Sequence, residues 1–266
     1  MVSRILSYIA RNKNIVLQFI KRETISRYKG SYLGFLWTIL TPIFMLCVYT
    51  FVFSEIFQAR WHSGSTNKVE FAIIIFCGLS TMTVFTEVIS RSPSMIISNT
   101  NYVKKVVFPL EMFPVIALGT ALVNAVINFT LLIIANFLLL GMIHWTLLLL
   151  PIIILPLIFY TVGFSWILSS LGVYIRDIGQ FIGVAVQALM LLSPIFYSVE
   201  VIPKQLLWFY QLNPATHFID DVRQILLFGK IPALDGFLIQ LLISGFICFV
   251  GLMWFRKTKH GFADVL

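Results

Sequence analysis

The chain has 266 residues, 59% of them hydrophobic and 11% charged, with a mean hydropathy of +0.94 and a formal net charge of +8. A soluble domain carries about a quarter charged residues, so this composition excludes a soluble globular protein and points to an integral membrane protein. The basic excess does not call for nucleic acid, because membrane proteins concentrate Lys and Arg on their cytoplasmic side.

Residues 1–30 do not form a span. Ile5, Ile9, Val16 and Ile20 recur at helical spacing, interrupted by Arg11, Lys13, Lys21 and Arg22. This pattern predicts an amphipathic helix lying in the cytoplasmic interface and drawn to anionic lipid. Residues 31–266 then form one transmembrane domain. Uncharged runs cover 31–54, 71–86, 112–175, 178–199 and 236–255. A crossing of the ~30 Å hydrocarbon core takes about 20 apolar residues, so the third run is too long for one helix. It divides near 141–145, where a glycine, a histidine and an interfacial tryptophan mark a turn. The expectation is an all-α polytopic fold with six spans, at 32–57, 69–90, 110–140, 146–171, 179–198 and 233–255.

Placing both termini in the cytoplasm puts Arg4, Arg11, Lys13, Lys21, Arg22, Arg27, Lys29, Arg91, Lys104, Lys105, Arg176, Arg256, Lys257 and Lys259 on that side. Arg60, Lys68, Lys204, Arg223 and Lys230 are left outside, a division of 14 against 5 that fits the positive-inside rule. The N-terminus has no early apolar core with a cleavage site, so no signal peptide is expected. Between spans five and six, residues 200–229 are too charged and broken to cross. Asn213 and Pro214 suit an N-cap and first helical position, and Phe218, Ile219, Val222, Ile225 and Leu226 share one face. Two short helices, re-entrant or lying on the outer face, are expected there. Asp220 and Arg223 have the spacing of a surface ion pair, and Glu87 precedes Arg91 by four residues, the favoured order for a helical pair.

Catalysis finds no footing. Cys47, Cys77 and Cys248 sit singly in apolar runs, and His62, His144, His217 and His260 make no short-spaced pair with another ligand. Neither a nucleophile elbow nor a Gly-x-x-x-x-Gly-Lys-Ser/Thr phosphate loop is present. Internal inverted repeats and paired broken helices of the secondary-transporter kind are absent too. Six helices leave little room around a path for a large solute, so two copies and an energy source on another chain are the economical assumption.

The segments RYKGSYLGFLWTILTPIF, NTNYVKKVVFPLEMFPV, RDIG, SPIFY, LNPATHFIDDVRQILLFG and KTKHGFADVL occur in that order along the chain. Together they resemble the membrane subunits of ABC exporters for lipid-linked bacterial polysaccharides, of the O-antigen and teichoic-acid type. The resemblance implies a permease in the bacterial inner membrane that works as a homodimer with two copies of an ABC ATPase subunit. ATP and Mg would bind that partner, and no cofactor this chain. The cargo would be a glycan on undecaprenyl diphosphate, with O-antigen favoured over teichoic acid or capsule. A drug-exporting ABC permease is the nearer rival; a secondary transporter and a membrane transferase acting on the same lipid are more distant ones.

The resemblance also gives the residues roles. Arg27, Tyr28 and Lys29 would meet the diphosphate at the inner mouth through charge-assisted contacts, the alternative being plain interfacial anchoring. Tyr32, Phe35, Tyr49 and Phe53 would continue as a track on which sugar rings stack, with Phe181, Phe196 and Tyr197 as a second wall; membrane-belt aromatics and close helix packing are the competing readings. Asn99, Asn101, Tyr102, Lys104 and Lys105 would form a short helix docking on the ATPase. Trp208 and Phe218 would belong to a gate capping the outer side.

Overall fold

The computed structural model describes residues 13–27, 30–52, 68–104, 108–141, 143–199 and 202–266. Tyr28, Lys29, Phe53 and Lys105, together with the side chain of Phe35, lie outside the described residues, as does the first part of the expected interfacial helix.

All regular structure among the described residues is helical. In chain order the helices are α1 (Lys13–Ser26), α2 (Trp37–Thr50), α3 (Lys68–Met95), α4 (Thr100–Lys104), α5 (Met112–Leu140), α6 (Leu150–Ile153), α7 (Leu155–Tyr174), α8 (Ile178–Leu192), α9 (Leu207–Leu212), α10 (Pro214–Leu226), α11 (Leu234–Thr258) and α12 (Phe262–Val265). Four stretches are long and apolar enough to cross a membrane: Val69–Met95, Met112–Leu140, Trp145–Tyr174 and Leu234–Val265. They match four of the six expected spans. The other two are represented by shorter helices, Trp37–Thr50 and Ile178–Leu192. At 1.5 Å per residue, the 15 residues of α8 reach only about 22 Å. That helix stops where Ser193 turns extended and Pro194 follows, because proline cannot supply the next helical N–H.

Helix α3 is the central element. Its most apolar stretch is 78% buried, against 17% for that of the C-terminal helix. Ile73, Ile74, Ile75, Phe76 and Cys77 are consecutive and all buried, so this part of the helix is enclosed by protein on every side. Around it pack α2, α5, α7, α8 and α10. Several of its hydroxyls bond within or between helices: Thr81 donates to the carbonyl of Cys77, and Ser92 and Ser165 join α3 to α7 at 2.7 Å.

The closest pairing is α7 with α11. Small residues make it possible, as expected where lipid offers no hydrophobic drive for helix association. A Cβ on Gly163 would lie 2.7 Å from the backbone nitrogen of Cys248, and Gly251 faces Gly163 in return. Gly141, at φ 71°, closes α5 at the turn read from the sequence.

The bundle has two distinct ends. One holds α1, α4, the 108–111 and 174–178 turns and the C-terminal residues. The other holds residues 143–149, 193–199 and 202–233. There α10 starts as predicted, with Asn213 Oδ1 accepting from the Ala215 N–H and Pro214 in the first turn. Its predicted apolar face is fully buried on the bundle. Arg223 corrects one expectation. It is 3% exposed, and its guanidinium donates to the carbonyls of Ile74 (3.2 Å), Pro194 (2.7 Å) and Ile195 (2.9 Å). Asp220 is exposed instead and accepts from Gln224. Two carbonyls past the end of α8 and one on α3 outweigh a solvated ion pair.

If the α7–α11 contact rests on absent side chains, Gly163→Val must push the helices apart. Overpacking costs about 1–3 kcal/mol, so the variant should melt at a lower temperature in detergent than wild type. Gly183→Val is the control: a Cβ there meets nothing within 4 Å, so the melting curve should stay unchanged.

Candidate functional site

The end carrying α1 gathers the charged residues. Val16 and Thr24 of α1 are buried, and Ile20 lies against Gly119 of α5. Ile15, Leu17 and Ile25 on the remaining surface are exposed. This division suits a helix at a lipid boundary, with one stripe on protein and another on lipid.

Charge fixes α1 to α3. Glu23 pairs with Arg91, and Arg27 pairs with Glu87. Both helices carry the pattern Glu-x-x-x-Arg and meet antiparallel, so each acid faces the other helix's base. The second Glu87 oxygen accepts from Asn124 Nδ2 of α5 at 2.9 Å. The pairing of Glu87 with Arg91 along one helix, expected from spacing, is therefore replaced by two pairs between helices. Partly buried positions screen a pair less than open water does, and the crossed arrangement satisfies four charges where the local one would satisfy two.

Helix α4 joins the same assembly through rings. Tyr102 meets Phe19 of α1 at 5.9 Å between centroids, Phe108 at 5.5 Å and Phe113 of α5 at 5.7 Å. Phe262 of α12 packs against Tyr174 and Phe255, and α12 in turn touches α4. The tail is held by charge as well. Glu111 Oε1 accepts from Lys259 at 2.7 Å and lies 3.4 Å from Arg256, while the Glu111 carbonyl takes the Trp166 indole N–H at 3.0 Å.

The sequence-selected residues fall into several settings. Arg27 is engaged with Glu87, and Tyr32 is fully exposed. Along α2, Phe44, Met45 and Val48 are exposed, whereas Tyr49 is half-buried against the core. Phe181 of α8 is 70% exposed. Tyr197 donates to the Leu191 carbonyl at 3.0 Å and lies 2.9 Å from the Tyr210 hydroxyl, tying the end of α8 to α9; Phe196 packs against the core. Asn99 gives its amide to the Met95 carbonyl, Asn101 and Lys104 are exposed, and Tyr102 belongs to the ring cluster. Trp208 is exposed on α9, whereas Phe218 is 5% exposed and stacks edge-on with Tyr160. Sequence reasoning did not single out Glu23 or Asn124, nor the pairing of Arg27 with Glu87. The signal was present in the repeated Glu-x-x-x-Arg on two helices.

The outward face of α8 has an unusual composition. Gln180 and Gln187 are exposed beside Phe181, Val184, Ala188 and Leu191. An amide facing hydrocarbon without a partner is costly, so this face fits polar surroundings better than lipid. Among the described residues no group of three or more His, Cys, Asp or Glu is arranged to hold a metal.

Comparison with known proteins gives a consistent result. The family described as ABC-2 type transporter matches residues 15–227. The chain is 28% identical to an O-antigen export system permease protein RfbA of Klebsiella pneumoniae, with 90% of each chain covered. It is 23% identical to RfbA of Myxococcus xanthus over 98% of both chains, and 24% identical to the polysialic acid transport protein KpsM of Escherichia coli over 90% of this chain and 91% of the other.

The crossed pairs predict a charge-swap rescue. Arg27→Glu should lower the melting temperature by setting two carboxylates together, and adding Glu87→Arg should recover most of the loss. The coupling should be about 1–2 kcal/mol, as for contacting residues. Additive losses in the double variant would show that the pair holds nothing.

Proposed function

The chain belongs to the ABC-2 type transporter family, as a membrane transport subunit, and on that premise we propose that it is the permease of an ATP-driven polysaccharide exporter. In this reading two copies enclose a path, an ABC ATPase subunit supplies the energy, and the cargo is a glycan on a polyprenyl diphosphate. O-antigen is the favoured glycan, because relatives exporting it align over as much as 98% of the chain. Capsular polysaccharide is the second reading, supported by the similarity to the polysialic acid transporter.

The observation that carries the reading is the mixed amide and aromatic surface of α8, with Gln180, Phe181 and Gln187 exposed. Amides bond sugar hydroxyls and rings stack on sugar faces, while a second copy shields both from lipid. The exposed residues of α2 extend an aromatic surface that starts near Tyr32. Six crossings, with α2 and α8 as the two short ones, and both termini in the cytoplasm of the inner membrane complete the proposed topology. The basic end then faces the ATPase, with α4 as its contact. At the inner mouth the diphosphate replaces the Glu87 carboxylate on Arg27, using the planar fork that lysine lacks.

The test is reconstitution of the chain with its ATPase subunit in proteoliposomes. Lipid-linked glycan should stimulate ATP hydrolysis and appear on the far side of the membrane. Arg27→Lys should keep the complex assembled and still lower the stimulation several-fold, about the loss of one charge-assisted hydrogen bond. An ATPase rate indifferent to lipid-linked glycan would contradict the reading.

A further inference from the structure

A cleft of about 820 Å³ lies between α1, the last turn of α3 and the start of α5. Its floor is apolar, with Phe113, Ile116 and Ala117, and its rim carries Lys21, Arg22 and Arg91. Three cations face one carboxylate there, and that carboxylate, Glu23, is already matched by Arg91 Nη2. Arg91 Nη1 is buried and has no hydrogen-bond partner among the described residues. Arg22 is held over the Phe19 ring, 4.5 Å from its centroid. With Glu23 matched by Arg91, the charges of Lys21 and Arg22 are left without an acid among the lining residues, so the cleft favours an anionic group.

The apolar floor narrows the chemistry. A free phosphate would satisfy the cations and leave the accessible apolar lining, Phe19 and Ile25, uncovered. An anionic lipid satisfies both parts, and α1 presents exposed Ile15, Leu17 and Ile25 to the same boundary. We propose that the cleft binds an anionic glycerophospholipid, with its phosphate among Lys21, Arg22 and Arg91 and the start of its acyl chain along Phe19 and Ile25. The site is separate from the proposed glycan-lipid entrance, since Arg27 does not line it and is engaged with Glu87. It therefore does not rest on the export reading. Its effect is mechanical: the lipid balances the charge of the rim and fastens α1 to the bundle.

Native mass spectrometry of the full chain tests this, with dioleoylphosphatidylglycerol and dioleoylphosphatidylcholine as probes. Wild type should retain phosphatidylglycerol and release phosphatidylcholine. Lys21→Gln with Arg22→Gln should weaken retention by about fivefold for each cation, roughly 25-fold together. Arg176→Gln, at the same end and outside the cleft, should retain the lipid as wild type does. Ser98→Trp, which fills the cleft from an exposed position, should lose the lipid with every charge intact, so a folding defect in the charge variant would not hide the result. Equal retention of both probes by wild type, or unchanged retention by both cleft variants, would overturn the site. Displacement of phosphatidylglycerol by an equimolar polyprenyl diphosphate would assign the cleft to the carrier lipid instead. Its release on binding of the ATPase subunit would assign the cleft to that protein, and either result overturns the proposal.

Discussion

A membrane-embedded chain cannot leave a charge or a peptide group to water, so each one in the bundle has to find its partner in the protein. That constraint fixes where the fold can break a helix and where it can place an ion. Arg223 is the clearest case at one end: the end of α8 releases carbonyls, and one guanidinium collects two of them along with the carbonyl of Ile74. At the other end Glu111 gathers Lys259 and Arg256, and α1 is matched to α3 by opposite charges. Between these two layers the helices meet through small residues and hydroxyls, as at Gly163 and Gly251 or Ser92 and Ser165.

The charged end also forms one connected body. Tyr102 links α4 to Phe19 of α1 and Phe113 of α5. From α1, Glu23 and Arg27 reach α3, and Asn124 brings α5 to the same carboxylate. A push on α4 is thus carried by ring contacts to the interfacial helix and by ion pairs to the most buried helix of the bundle. With α4 as the proposed ATPase contact, these contacts would carry a movement of the ATPase to Arg27.

Much of the architecture is legible in the sequence because hydropathy and punctuation act locally. The Gly141 turn, the Asn213 cap and the apolar face of α10 follow from local pattern alone, and four spans start within two residues of their expected positions. Partner choice among charges is different, because it depends on which helices end up adjacent. Glu87 and Arg91 satisfy the rule for a local pair, yet α1 offers each a partner from another helix. Arg223 has an acid three residues away and turns inward, since a buried donor with three acceptors is better served than an ion pair in water. The aromatic track is the intermediate case. Helical spacing puts Tyr49 in line with Tyr32, but packing turns Tyr49 toward the core and leaves Phe44 and Val48 outward.

The central claim is that the outward faces of α2 and α8 are covered by a second copy around a common path. Disulfide trapping in native membranes tests it most directly, in a background with Cys47, Cys77 and Cys248 replaced by serine or alanine. Phe44→Cys combined with Val184→Cys, one on each exposed face, should give a covalent dimer on mild oxidation. Leu242→Cys, outward on α11, should stay monomeric. Dimers formed through Leu242→Cys and not through the α2 and α8 positions would place the second copy elsewhere and contradict the account.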